Sequence, residues 1–210
     1  HLYTAAFVDN AVVVFSRNSS TGALIFVEVH KDTDDGVDGL NGATSVTVSP
    51  DGKNVYVASM TDHAVAMFSR NAYTGRLTFV ESHKEGAGMT GVLGGAFAVT
   101  VSPDGSYVYA TAYTSDALAV FSRNADTGRL AFAQVLKDSD DGVDGLNGAR
   151  QVAVSPDGSY IYVASSVDHA VAVFSRDATT DALTFVEVHK DVDDDVDGLN
   201  GAFSVTVSPD

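Results

Sequence analysis

Apolar and polar positions alternate with a period of two through Val55 and Val57, and again through Val65 and Met67, with β-branched and aromatic residues prominent. This pattern predicts strands over 44–49, 54–59, 64–70 and 76–84. Turn chemistry separates them. Ser49-Pro50-Asp51-Gly52 combines a proline-fixed φ with a glycine free to take positive φ, "TDH" at 61–63 makes a short reversal, and "NAYTG" at 71–75 ends in the glycine that a bulged hairpin requires. The segment therefore reads as a four-stranded antiparallel meander.

The meander recurs. "SVTVSPDG" from Ser45 returns as "AVTVSPDG" from Ala98, "QVAVSPDG" from Gln151 and "SVTVSPD" from Ser204, at a spacing of 53 residues. All four prolines, at 50, 103, 156 and 209, hold the same slot. A single meander exposes edges and faces that it cannot bury alone, so neighbouring units must stack, and radial stacking gives a β-propeller. The expected fold is all-β, a propeller-type array of four 53-residue, four-stranded antiparallel blades, circularly permuted within the first blade. It forms a single domain, 1–210, of units 1–51, 52–104, 105–157 and 158–210. His1 is equivalent to Asn54 and Asp210 to Asp51. Three arrangements stay open on this register: the 203–210 strand pairs beside the first strand and closes a ring, copies join head to tail, or the units continue a longer array.

At this point the residues resemble a known family. "VSPDG…VYVAS…AVAVFSR…TG.LTFVE" is similar to the YVTN or lactonase-like propeller repeat of bacterial surface and secreted proteins, and the similarity recurs in register along the whole chain. The resemblance implies the blade type. It also implies that any activity would lie at the central pocket, where near-equivalent blades offer no evident asymmetric constellation.

Charge narrows the partners. A formal net charge of −16 repels phosphate backbones and anionic lipid heads, so neither nucleic acid nor direct membrane insertion is expected, while cations are favoured. The chain has no cysteine, which removes disulfides and thiolate metal sites and leaves the redox compartment unassigned. A chain opening at His1 without an initiator methionine reads as processed or as a piece of something longer.

The negative charge concentrates in the crossovers between units: "KDTDDGVDGLNGA" from Lys31, "KDSDDGVDGLNGA" from Lys137 and "KDVDDDVDGLNGA" from Lys190. Calcium, which takes about 6–8 oxygen ligands, suits such loops. The candidate ligands are Asp32, Asp34, Asp35 and Asp38; Asp138, Asp140, Asp141 and Asp144; and Asp191, Asp193, Asp194 and Asp197. An EF-hand register fails, because Val37 and Ala43 stand where glycine and glutamate would be needed. The alternative is a set of solvated turns. The crossover from Lys84, "KEGAGMTGVLGGA", replaces three of the carboxylates with Ala87, Gly88 and Gly91, so about three calcium sites are expected, with none in the loop at 84–95. Asp195 replaces a glycine in the fourth crossover.

Scattered His30, His63, His83, His169 and His189 read as surface residues and not as a zinc site, because their equivalents include Asn10, Asp116 and Leu136. Arg17, Arg70, Arg123 and Arg176 recur once per blade, which suits an inter-blade ion pair or hydrogen bond. No nucleophile elbow, phosphate loop or zinc-protease helix occurs. The resulting expectation is a non-enzymatic, extracellular or cell-surface structural or adhesive protein. Calcium would stabilise it, and it would assemble with itself, head to tail into fibres or in a longer array, and meet a cell-surface or matrix ligand. The alternative is a lactonase-like hydrolase or ligand-binding propeller that uses the central channel.

Overall fold

The computed structural model describes residues 1–86, 88–191 and 196–209. Among the described residues fifteen strands form four antiparallel sheets in chain order. The first holds β1 (Leu2–Ala6), β2 (Ala11–Arg17) and β3 (Leu24–Lys31). The second holds β4 (Ala43–Val48), β5 (Asn54–Ser59), β6 (Ala64–Arg70) and β7 (Leu77–Lys84). The third holds β8 (Ala96–Val101), β9 (Tyr107–Ala112), β10 (Ala117–Arg123) and β11 (Leu130–Lys137). The fourth holds β12 (Ala149–Val154), β13 (Tyr160–Ser165), β14 (Ala170–Arg176) and β15 (Leu183–Lys190). The blades foreseen from periodicity are therefore present, and the strand boundaries of the second agree to within about a residue, because proline, glycine and Asx turns fix each strand end. Asn71 shows how: its Oδ1 accepts from the N–H groups of Tyr73 and Thr74, and Gly75 takes φ 72°.

A bulge recurs at one place in every blade, between Val14 and Phe15, Met67 and Phe68, Val120 and Phe121, and Val173 and Phe174. It brings a phenylalanine pair face to edge across the outer two strands, as in Phe68 and Phe79, whose centroids are 5.6 Å apart.

The core lies between blades. Val12, Val14, Val57 and Phe68 fill the first interface, Tyr56, Met67, Val108 and Phe121 the second, and Leu118, Val120, Ile161 and Phe174 the third. Three of the four crossovers each contribute one fully buried leucine to these layers: Leu40, Leu93 and Leu146. Toward the axis, β1 packs beside β4, β4 beside β8, and β8 beside β12. Residues 203–209 form no strand, and the sheet partner of β1 is β2, so pairing of the last segment beside the first strand is not the arrangement seen.

A polar clasp ties successive blades. Tyr56 donates its hydroxyl to Gly128 O at 2.7 Å and accepts from Arg123 Nε at 2.8 Å. Arg123 also donates to Gly105 O at 3.0 Å, Asp51 Oδ2 at 2.8 Å and Asn54 Oδ1 at 2.7 Å. Arg70 repeats the scheme with Tyr3 and Gly52 O. Arg176 departs from it: Asp181 occupies the slot of Gly75 and Gly128, and the guanidinium turns to Asp181 and Asp104 while stacking over Tyr107. Burial alone would raise the Asp51 carboxyl, but hydrogen bonds from Ser49 and Arg123 outweigh it and bring the pKa down to about 2. Burial pushes Tyr56 up to about 12.

Removing Arg123 with alanine should cost about 3 kcal/mol, because its partners lose a buried charge, whereas Tyr56→Phe should cost about 1 kcal/mol; urea denaturation reads both. Asp51 also makes a pH prediction. Its folded pKa of about 2 lies below its ordinary 3.8, so its contribution is complete above that ordinary value and is lost as pH falls toward 2. In an acid titration of stability, Asp51→Asn should lack this portion of the wild-type decline.

Candidate functional site

The crossovers and the short turns at 7–10, 60–63, 113–116 and 166–169 meet on one face. The first acid of each crossover clamps its own loop: Asp32 accepts from Leu40 N–H at 2.9 Å, Asp138 from Leu146 N–H at 3.0 Å and Asp191 from Leu199 N–H at 2.7 Å. Glu85 does the same for Gly91, Val92 and Leu93, so the longer acid preserves the clamp where the other carboxylates are missing. These bonds hold the buried leucines in place.

The tight turns present a second set of acceptors. Asp62 and Asp168 receive the N–H groups of Asn41 and Asn147. At the next position, Asn10 and Asp116 accept from Gly42 and Gly148, while His63 and His169 accept through Nδ1 from Gly95 and Gly201. All four of these residues have φ between 49° and 54°, so the slot needs an acceptor that tolerates the left-handed region: Asn, Asp or His. His63 and His169 are thus backbone acceptors.

The outer-strand histidines belong to another recurring set. His30 lies 3.1 Å from Glu28 and stacks on Phe68, and Glu28 also takes Arg76 at 2.7 Å from the next blade. His83, Glu81 and Arg129 repeat this, with His83 against Phe121. In the third blade all the partners change together. Leu136 replaces the histidine, Ala182 the arginine and Gln134 the glutamate, and the amide of Gln134 pairs with both backbone groups of Leu183. His30 and His83 are half-buried in these contacts and are not the surface residues expected.

Of the candidate calcium ligands, Asp32 and Asp38 converge with Asp62, and Asp138 and Asp144 with Asp168, each trio offering oxygens within 4.8 Å of one another. Asp34, Asp35, Asp140 and Asp141 are exposed and lie outside the trios. Asp191 clamps its loop and Asp197 is exposed. Asp193, Asp194 and Asp195 lie outside the described residues. Both trios already face an ammonium: Lys84 Nζ is 2.6 Å from Asp38 and 3.4 Å from Asp62, and Lys190 Nζ is 2.7 Å from Asp144. A hydrogen bond from Lys84 holds Asp38 below the ordinary carboxylate range. Burial, together with Asp138 and Asp144, raises Asp168. In each trio the lysine already supplies a positive charge with which a divalent cation would compete.

The central channel breaks the repeat. The second position of β4, β8 and β12 and the equivalent residue of the last segment are occupied by Thr44, Phe97, Arg150 and Phe203 in turn, and all four line one recess. Arg150 lies 4.6 Å from the centroid of Phe97, 4.3 Å from Tyr113 and 4.8 Å from Phe203. It opens onto a recess of about 340 Å³ lined by β4, β8 and β12, with Ser45, Thr47, Thr100 and Gln151 among the polar side chains. A recess of about 470 Å³ at the outer rim, between β11 and β15, surrounds Gln134 and Leu136. Gln134 is already bonded to backbone there, so the channel recess is the better candidate despite its smaller volume.

Fold and channel define a β-propeller with a polar axial recess. Residues 1–136 and 84–199 match the family model described as lactonase, 7-bladed β-propeller, and the chain belongs to that family. It is similar to the 6-phosphogluconolactonase of Klebsiella pneumoniae, 25% identical over 167 residues that cover 77% of this chain and 49% of that protein. It is also similar to the 6-phosphogluconolactonase of Bacillus subtilis, 26% identical over 131 residues, 62% of this chain and 36% of that protein. The solved periplasmic gluconolactonase of Pseudomonas aeruginosa superposes with a TM-score of 0.71 at 17% identity, covering 96% of this chain and 52% of that one. The chain thus spans about half the length of that structure and of the Klebsiella relative.

These findings correct the expectation of a non-enzymatic, calcium-dependent structural or adhesive fibre protein. The family and its named members are lactonases, which favours the alternative reading. Repeated scaffold words mask an asymmetric position: 44, 97, 150 and 203 hold Thr, Phe, Arg and Phe down the aligned units.

For the crossovers, Lys84→Met should lower the thermal midpoint by leaving Asp32, Asp38 and Asp62 without their counter-charge. The deficit should shrink with added NaCl, since the screening length falls from about 10 Å at 0.1 M to about 3 Å at 1 M. Melting curves across a salt series check this.

Proposed function

We propose that this chain is a lactone-hydrolysing propeller module that binds a sugar lactone at the axial recess. The single observation that carries the reading is the loss of repeat symmetry at the channel, within a chain of the lactonase family: positions 44, 97, 150 and 203 hold Thr, Phe, Arg and Phe where a substrate would sit. Thr44, Ser45 and Gln151 offer hydroxyl and amide groups to the hydroxyls of a sugar ring, and Arg150 offers a fixed positive charge. Hydrolysis adds water to the lactone carbonyl, breaks the bond between the acyl carbon and the ring oxygen, and leaves that oxygen protonated in the hydroxy acid. N–H and O–H donors near the carbonyl favour the oxyanion that develops as water adds.

At the finer level we read the blades as YVTN-type repeats, on "NVYVA", "YVYAT" and "YIYVA" at the second strand of three units.

Acid release from glucono-δ-lactone and its 6-phosphate, followed at constant pH, tests the activity. The purified chain should open the ring faster than buffer alone, and Gln151→Leu should lower kcat/KM about 10-fold, the worth of about one hydrogen bond. Ring opening no faster than in buffer would defeat the reading.

A further inference from the structure

Apart from Arg17, which is exposed at the end of β2, the arginines of this chain fall into two kinds. Arg123 spends its donors on Tyr56, Gly105 O, Asp51 and Asn54, and Arg70 and Arg176 are likewise engaged by neighbouring oxygens. Arg150 is different. Among the described residues its side chain makes one hydrogen bond, from Nε to Ser166 Oγ at 3.1 Å. Among the described residues no carboxylate lines the recess onto which it opens. In a chain of net charge −16, an arginine in a carboxylate-free recess needs a reason.

The surrounding aromatics supply part of it. Phe97, Tyr113 and Phe203 place their ring centroids 4.3–4.8 Å from the guanidinium carbon. Stacking on ring faces steadies a guanidinium without neutralising it or using its N–H donors. With Nε tied to Ser166, the two terminal nitrogens have their hydrogens left for a ligand. A planar pair of donors on a steadied guanidinium matches two oxygens of a carboxylate or phosphate. Three of these residues lie where the repeat diverges: Arg150 against Thr44 in the innermost strand, and Tyr113 and Ser166 against Met60 in the turn.

We propose that Arg150, steadied by Phe97, Tyr113 and Phe203 and oriented by Ser166, is the specificity-determining residue of the axial recess and selects ligands that carry a carboxylate or phosphate over neutral sugars. The assignment rests on the reading of the recess as the substrate site, but it concerns binding and is tested without turnover.

Titration calorimetry with the full chain compares gluconate, glucose 6-phosphate and glucose, which present the carboxylate, the phosphate and neither. At least one of the two anions should bind 10-fold or more tighter than glucose, and the arm that does so identifies the group that is read. Arg150→Gln keeps a donor near Ser166 and removes the charge; it should weaken that anion about 10- to 100-fold and leave glucose unchanged. Arg150→Lys should restore part of the loss, because it returns the charge without the fork. Phe97→Leu should weaken the anion while melting close to wild type, which keeps the proposal testable if the Arg150 variants fold poorly. Anion affinity indifferent to both Arg150→Gln and Phe97→Leu, or glucose binding as tightly as both anions, would overturn the assignment. Anion binding that depends on Arg150 in a chain that opens no lactone would sink the hydrolase reading and leave this one standing.

Discussion

A four-stranded blade has two faces and a chain of this length has four blades, so the fold depends on burying one blade's face against the next. The fully buried side chains are those that meet across these interfaces: Tyr56, Phe68, Phe121, Ile161 and Phe174. Each interface is closed at one end by the arginine clasp, with tyrosine as its partner at two of the three, and at the other by a crossover that inserts a leucine. Hydrophobic area drives the stacking, but it is non-directional. The clasps and loop clamps fix the relative position of the blades, because a slipped blade would leave Arg123 and the crossover N–H groups buried without partners.

That division explains why most of the acidic sequence is structural. Asp32, Asp138 and Glu85 clamp loops, Asp62 and Asp168 receive the next backbone donors, and Lys84 and Lys190 balance the remaining charge. Several of these roles recur from unit to unit, at times filled by a different residue able to make the same contact, as Ser115 does for Gly94 N–H. Histidine, asparagine and aspartate interchange at one turn position because each offers an acceptor and accepts positive φ. Glu28, Arg76 and His30 become Gln134, Ala182 and Leu136 as a set, because the half-buried Glu28 carboxylate loses its counter-charge if its partners change alone.

Much of the fold was therefore legible in the sequence. Alternation gave the strands, proline and glycine gave their ends, and the 53-residue period gave the stacking. The role of the recurring arginines followed from their spacing, although their tyrosine partners did not. The candidate site was legible only in part. Asp32 and Asp38 stood out by composition, but convergence with Asp62 and Lys84 joins segments far apart in the chain, and local spacing carries no information about that. Arg150 stood in plain view as a departure from the repeat. A single substituted repeat position carries no local motif, and its aromatic partners Tyr113 and Phe203 come from distant segments that spacing does not join.

The placement of function at the axis is tested most directly by a crystal structure of the chain soaked with gluconate. The account predicts ligand density between β4, β8 and β12, with the carboxylate against the terminal nitrogens of Arg150 and the hydroxyls toward Ser45 and Gln151. Density confined to the rim recess beside Gln134 and Leu136, with an unoccupied channel at saturating ligand, would contradict it.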